Sequence, residues 1–386
     1  MIYMKDNNEL SSVMEIINRE GLDGLSQAVE IILNEAMKVE RSQHLKAVPY
    51  ERTEDRVGYA NGFKPKQIKS RVGQLNVNVP QVRESDFYPS SLEKGMRSER
   101  ALRAALAEMY VTGVSTRKVE KITQKLCGLS VTSSEVSRAT KLLDEEMTQW
   151  RERPLGACRY VYFDARYEKR QEKGCILDMA VLTAIGVNEE GKREVLGISI
   201  SASEAEVHWR DFFSSLIKRG LQGVELIISD AHEGLKAARK KVFPGVKWQR
   251  CQFHLQQNAQ AYVLKIGMRK EVASDIRAVF NAPNENEAQR FLNMAVEKYK
   301  QGAPKLSQWM EDNIPEGLAF FQFPEEHRKK IRTTNGLERV NREIYRRTRV
   351  VSIFPNEDAC LRLVSAILME VHQDWATERK YLNLED

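Results

Sequence analysis

The chain has 386 residues, 42% hydrophobic and 30% charged, and its 60 Lys and Arg against 54 Asp and Glu leave a net charge of +6. These are the proportions of a soluble globular protein long enough for two or three domains. Five scattered cysteines, an odd number, do not read as a disulfide framework. No apolar run approaches the roughly 20 residues that span a bilayer, and the start, Met1-Ile2-Tyr3-Met4-Lys5-Asp6, has no signal-peptide pattern. A reducing cytoplasm and no membrane partner are therefore expected.

In chain order, residues 9–47 read as one or two helices with Leu22, Leu25, Val29, Ile32, Leu33 and Ala36 at helical spacing. That stripe fits a core face or a dimer contact. Residues 50–90 change to β character. Asn61-Gly62 is a turn signal, and the alternation across Lys66–Gly73 and Gln74–Pro80 predicts a small hairpin. Lys64, Lys66, Lys69 and Arg71 make it basic, which fits DNA contact or a solvated edge guarded by lysines.

Residues 98–150 read as three helices. Leu102, Leu106, Met109 and Tyr110 stripe the first, which Gly113 would end. Ser115 can cap a second carrying Val119, Ile122 and Leu126, which Gly128 would stop. Thr132-Ser133-Ser134-Glu135 fits a capping box for a third, with Val136, Ala139, Leu142 and Leu143 inward. Short helix, turn, short helix is a helix-turn-helix layout. Arg117 and Lys118 then stand near the start of its first helix, and Arg138 and Lys141 on the outer face of its second. A plain helical bundle fits the same pattern.

Strand-like runs follow at 159–164, 175–186 and 193–201. Ser203-Glu204-Ala205-Glu206 reads as a capping box opening a helix to Arg219, with Gly220 as its stop. Another strand at 224–229 and a helix near 234–241 complete a mixed α/β pattern. Residues 251–325 read as an all-α insertion, with helices at 268–280, 285–300 and around Trp309. Helices at 335–349 and 357–380 close the chain.

Three acids stand out. Asp164 ends the apolar run Tyr160-Val161-Tyr162-Phe163, and Asp230 ends Leu226-Ile227-Ile228-Ser229. Ligands gather at strand ends in such sheets. Glu338 follows in Thr334-Asn335-Gly336-Leu337-Glu338-Arg339. Carboxylate oxygens suit Mg²⁺, with Mn²⁺ as a substitute. Two ions about 3.5–4 Å apart are the usual arrangement for phosphodiester cleavage. Capping explains each acid equally well when it is taken alone: Asp164 at a turn, Asp230 before a helix, Glu338 in a box with Asn335 or paired with Arg342.

Arg328 to Arg349 holds nine Lys and Arg against two Glu, so Arg339, Arg342, Arg346 and Arg347 cluster beside Glu338. This fits a phosphate-binding surface or a solvated helix face. Cys251 and His254 have a C-x2-H spacing, but zinc needs four ligands. A buried structural role fits them better, with His232 and His327 the distant alternatives as partners. Trp248 and Trp309 fit core positions or stacking on unpaired bases.

Together these segments resemble the mutator-type DDE transposases of bacterial insertion sequences, over nearly the whole chain. The resemblance is carried by Val57-Gly58-Tyr59-Ala60-Asn61-Gly62-Phe63, Tyr162-Phe163-Asp164-Ala165, Ile228-Ser229-Asp230-Ala231-His232, Arg250-Cys251-Gln252-Phe253-His254 and Thr333–Glu343. It implies an α/β catalytic core of RNase H-like type with an all-α insertion, preceded by helical and helix-turn-helix N-terminal regions. The expected boundaries are 1–95 (dimerisation and DNA contact), 96–152 (helix-turn-helix), 153–250 (first part of the core), 251–325 (insertion) and 326–386 (final part of the core). It also implies a catalytic, two-Mg²⁺ triad of Asp164, Asp230 and Glu338. Glu343 is the rival for the third place, and the Asn-x-x-Glu-Arg match favours Glu338. Cys251 and His254 match a family signature read here as structural. The implied partners are terminal inverted repeats, target DNA and a second copy of the chain, in a bacterial cytoplasm near the nucleoid. A transposase-derived regulator that no longer cuts, and a nuclease of RNA-containing substrates, are the competing readings.

Overall fold

The computed structural model describes residues 8–384 apart from 96, 112–113, 142–143 and 264. The Gly113 stop and the inward Leu142 and Leu143 lie outside the described residues. The chain forms two compact units, residues 1–143 and 144–386. The division precedes the expected boundary at 152/153, and helix α6 (Asp144–Glu152) falls in the second unit.

The first unit opens with α1 (Asn8–Glu20) and α2 (Leu25–Leu45), followed by a hairpin of β1 (Tyr59–Ser70) and β2 (Gly73–Arg83). Alternation sends Leu75, Val77 and Val79 inward onto Met37, Val29 and Leu33 of α2. The outward-going N–H groups of Asn76 and Asn78 meet the Glu30 carboxylate at 2.6 Å and the Asn34 carbonyl at 2.8 Å. Thus α2 covers one face of the hairpin and blocks its edge. The predicted α2 stripe divides: Val29 and Leu33 join this core, whereas Leu22 is 79% and Ile32 55% exposed. Asn61-Gly62 is not the hairpin turn. Gly62 takes φ +74°, and the register shift between Ala60 and Phe63 makes the pair a β-bulge. The turn falls at Arg71-Val72.

The helices α3 (Arg100–Val111), α4 (Thr116–Cys127) and α5 (Ser133–Thr140) follow. Ser115 caps α4, Gly128 ends it in the left-handed region, and Thr132 with Glu135 closes a full capping box on α5. Leu102, Leu106, Val119, Val136 and Ala139 share one core. Leu126 does not join them, being 77% exposed; the buried face of α4 runs through Val119 and Thr123. Thr123 is tolerated there because its hydroxyl donates to the Val119 carbonyl.

The second unit is built on a five-stranded sheet of β3 (Cys158–Glu172), β4 (Cys175–Asn188), β5 (Arg193–Ser201), β6 (Leu226–Ser229) and β7 (Lys247–Arg250), in the order β5-β4-β3-β6-β7. The first three strands are antiparallel, while β6 runs parallel to both β3 and β7. Helices α7 (Glu206–Lys218) and α8 (Glu233–Val242) cover one face, where Val161, Phe163 and Ile227 pack on Trp209, Phe213 and Leu235. The capping box predicted for α7 is absent. Ala205 is the N-cap without a side-chain bond, and Ser203 instead accepts the Ser201 hydroxyl through its own carbonyl.

Four helices follow β7: α9 (Gln252–Ala259), α10 (Arg269–Phe280), α11 (Glu285–Tyr299) and α12 (Pro304–Asn313). Then come α13 (Glu325–Ile331), α14 (Asn335–Val351) and α15 (Glu357–Thr377).

Candidate active site

Residues alternate faces along β3, so Asp164 shares a face with Tyr160 and Tyr162, opposite the α7 side. The last parallel pair of β3 and β6 is Tyr162 with Ile228. Two residues beyond that pair, on both strands, stand Asp164 and Asp230. They differ from expectation in one respect. Asp230 is the first residue after β6, but Asp164 lies inside β3, opposite Thr183 in a hairpin that runs on to Glu172. Burial, and then the Asp230 charge, push the Asp164 carboxyl up to about 7. Asp164 Oδ1 takes the Ala165 N–H at 2.9 Å, and Asp230 Oδ1 takes the His232 N–H at 3.2 Å.

Helix α14 docks on the same face. Asn341 Nδ2 donates to Asp164 Oδ2 at 2.8 Å, Arg166 Nη1 donates to the Asn341 carbonyl at 2.6 Å, and Thr348 donates to Glu168 at 2.9 Å. Asn335 is the first residue of α14, with Thr334 as the N-cap, and no side-chain cap forms. Glu338 is therefore not a capping-box acid, and its Oε1 is buried without a hydrogen-bond partner. Glu343 has the opposite environment. Arg346 and Arg347 bind it at 2.7 and 2.8 Å and hold its carboxyl down at about 2.

The four arginines of this helix also part company. Arg339 and Arg342 are exposed, and Arg346 is exposed but paired with Glu343. Arg347 does not belong to a solvent-facing cluster. It is 6% exposed and bridges Glu343 to Glu370 at 2.6 Å.

Cys251 follows β7 directly and is fully buried. Its sulfur takes both the N–H and the hydroxyl of Thr334 at 3.3 Å, so it clasps the end of the sheet to the start of α14. Burial pushes the Cys251 thiol up, but His254 and Thr334 outweigh this and leave it below its ordinary value. His254 is raised to about 9, most by the neighbouring Cys251 and further by the Asp164 and Asp230 charges. His327 cannot be a zinc partner. Its Nδ1 engages the Tyr160 hydroxyl at 2.7 Å and its Nε2 the Asn383 carbonyl at 2.6 Å. Trp309 is buried and stacked on Tyr262, while Trp248 packs on the sheet core and donates to Ser229.

Sequence reasoning missed Glu204, which it passed over as an intervening residue of the box Ser203-Glu204-Ala205-Glu206. Glu204 is 9% exposed, and its Oε2 lies 3.8 Å from His232 Nδ1. Burial and Asp230 raise its carboxyl, with His232 acting against them. Gly234 makes this approach possible, because a Cβ there would meet the Glu204 carbonyl at 2.0 Å. No sequence signal pointed to Glu204. Asn341 could have been found from its place three residues after Glu338.

The donor chemistry suits a hard divalent cation: two adjacent carboxylates that oppose each other's charge, and a buried Glu338 oxygen with no donor. No cluster of three acids, histidines or cysteines closes tightly enough to hold an ion among the described residues.

In the first unit Arg117, Lys118, Arg138 and Lys141 are all exposed. Arg138 lines a cavity of about 480 Å³ with Lys69, Arg97 and Arg103, and an adjoining cavity of about 720 Å³ is lined by Lys64, Lys66, Lys69 and Arg97. The two form one basic cleft between the hairpin and α5. The hairpin lysines are partly engaged: Lys69 binds Glu135 at 2.8 Å, and Lys66 binds the Tyr88 hydroxyl.

The architecture is that of a mixed α/β protein with two acids at matching positions of neighbouring strands and a basic helix packed on Asp164. The chain belongs to the Mutator family of transposases, whose family model matches residues 2–378. It is 56% identical over 385 residues to the transposase for insertion sequence element IS406 of Burkholderia multivorans, covering 99% of each chain. It is 41% identical to the ISRM5 transposase of Rhizobium meliloti, over 94% of this chain and 92% of that one. The IS256 transposase in transposon Tn4001 of Staphylococcus aureus is 36% identical over 98% and 97%. Likeness to solved structures is slight: a simian T-cell lymphotropic virus intasome complex gives a TM-score of 0.17 at 11% identity over 53% of this chain and 64% of that one, too low to carry an argument.

Proposed function

We propose that this protein is the transposase of an insertion sequence, binding the element's terminal inverted repeats and catalysing DNA strand cleavage and strand transfer. The observation that carries the catalytic reading is the placing of Asp164 and Asp230 at matching positions of neighbouring strands, where burial and the Asp230 charge raise the Asp164 carboxyl, with α14 docked on Asp164 through Asn341. The sheet order β5-β4-β3-β6-β7, with three antiparallel strands followed by two parallel ones, supports an RNase H-like core.

Asp164 and Asp230 would hold divalent cations, Mg²⁺ or in its place Mn²⁺, with Glu338 completing the set. Bound there, such ions supply Lewis-acid activation of the attacking oxygen and stabilisation of the leaving one. The chain's own groups orient and desolvate: Asn341 and the Ala165 N–H fix the Asp164 oxygens, and the Cys251–Thr334 clasp sets the start of the Glu338 helix. Water attacks the phosphodiester and frees a 3′-hydroxyl. That hydroxyl then attacks a second phosphodiester, so no covalent enzyme intermediate is needed.

The basic cleft and the exposed Arg117, Lys118 and Lys141 support contact with the end DNA, and Arg339 and Arg342 contact near the acids. Exposed Leu22, in the turn before α2, and exposed Ile32 and Val39 on α2 support a dimer. No described helix is long and apolar enough to cross a membrane. The test is Asp164→Asn in full-length protein with DNA carrying the element's ends. Cleavage in Mg²⁺ should be lost and end binding retained; wild-type cleavage by the variant would overturn the metal assignment.

A further inference from the structure

Asn341 lies three residues after Glu338 on α14, so the two project from one helix face. Its Nδ2 donates to Asp164 Oδ2 at 2.8 Å. The orientation of the amide is chemically forced, because turning it over would set its carbonyl oxygen against a carboxylate oxygen at hydrogen-bond distance. Asp164 is thereby held at both oxygens, by the Ala165 N–H on one side and by Asn341 on the other. The Asn341 backbone is fixed too, since its carbonyl accepts from Arg166, which pairs with Glu168 at 2.8 Å.

A buried amide usually has both of its ends satisfied. Here Asn341 Oδ1 is buried without a partner, as is Glu338 Oε1. An acceptor buried in this way is unfavourable until a donor reaches it. Two of them on one helix face, one on the residue that binds Asp164, indicate that the missing donors arrive with something the site binds.

We propose that Asn341 is a positioning residue for Asp164. It sets the carboxylate at the angle a cation needs and offers Oδ1 to a water brought in with the cation or the DNA. The inference rests on the proposed catalytic reading of Asp164 and ties that acid to the helix carrying Glu338. Outer partners of this kind typically contribute 10–100-fold to metal affinity.

The test uses the full-length protein and Mn²⁺ as the probe. Binding is followed by electron paramagnetic resonance, with cleavage and end-DNA binding measured in parallel. Asn341→Ala should weaken Mn²⁺ binding by about tenfold or more. Cleavage should fall alongside, recover in part at high Mn²⁺, and leave end-DNA affinity unchanged. Should the alanine variant fail to fold, Asn341→Leu keeps the volume and removes both hydrogen-bonding ends. Wild-type Mn²⁺ affinity in a folded variant overturns the proposal, whether or not cleavage falls. Wild-type cleavage by Asp164→Asn would instead overturn the catalytic reading itself, so the two failures are distinguishable.

Discussion

At the scale of single residues, the acids of the second unit divide by what surrounds them. Asp164 is raised to about 7 against an ordinary 3.8. A carboxyl raised on folding binds its proton more tightly in the native state, so its contribution to stability is present at low pH and lost as pH climbs from about 4 through 7. Without divalent cations, thermal unfolding should show stability falling over that window. Asp164→Asn should flatten the fall and raise the melting temperature at pH 8. A wild-type pH profile in the variant would contradict the shift. Glu338 and Glu343 should separate equally cleanly. Glu343→Gln takes one charged partner from the buried Arg347 and should cost about 1–3 kcal/mol in denaturant unfolding, with cleavage retained. Glu338→Gln should abolish cleavage at little cost in stability. The reverse pattern would make Glu343 the third acid.

At the scale of elements, the decisive one is α14. It is strongly basic, yet it is held to β3 by neutral or internally balanced contacts: Asn341 to Asp164, Arg166 to the Asn341 carbonyl, and Thr348 to Glu168. Its start depends on Cys251, whose sulfur receives two bonds from Thr334. Cys251→Ala strands a buried N–H and hydroxyl, so it should cost about 1–3 kcal/mol. Hydrogen exchange should rise first in the opening turn of α14; uniform exchange along the helix would argue against the clasp. Several such elements were legible. The caps at Ser115 and Thr132, the stop at Gly128 and the alternation of β2 obey local rules, and the structure has them. The failures have local reasons as well. Asn61-Gly62 suits a tight turn or a bulge equally, and the register of β1 against β2 chose the bulge. The box at Ser203 lost because Ser203 turns its carbonyl toward Ser201 and α7 begins only at Glu206.

At the scale of the whole molecule, the proposed function assigns different tasks to the two units. The first carries the basic cleft. Neutralising Lys64, Arg97 and Arg138 together should weaken end-DNA binding and flatten the dependence of log affinity on log salt by roughly 0.9 per lost phosphate contact. Mn²⁺ binding at the acids should not change. An unchanged salt slope would remove the cleft from the DNA-contact surface.

The sequence by itself determined most of the helices and strands, though not β7, α9 or α13, that two apolar runs end in Asp, and that a motif places Glu338 near Asn341. These are short-range facts, set by periodicity, capping and residue order. Only the tertiary structure decided that Asp164 lies within a long strand rather than at its end, because the length of β3 depends on its pairing with β4. It also decided that Glu343 and Arg347 neutralise each other, and that Glu204 sits beside Asp230. Each of these is a question of which charge meets which neighbour across the fold, and linear order carries no distance for that.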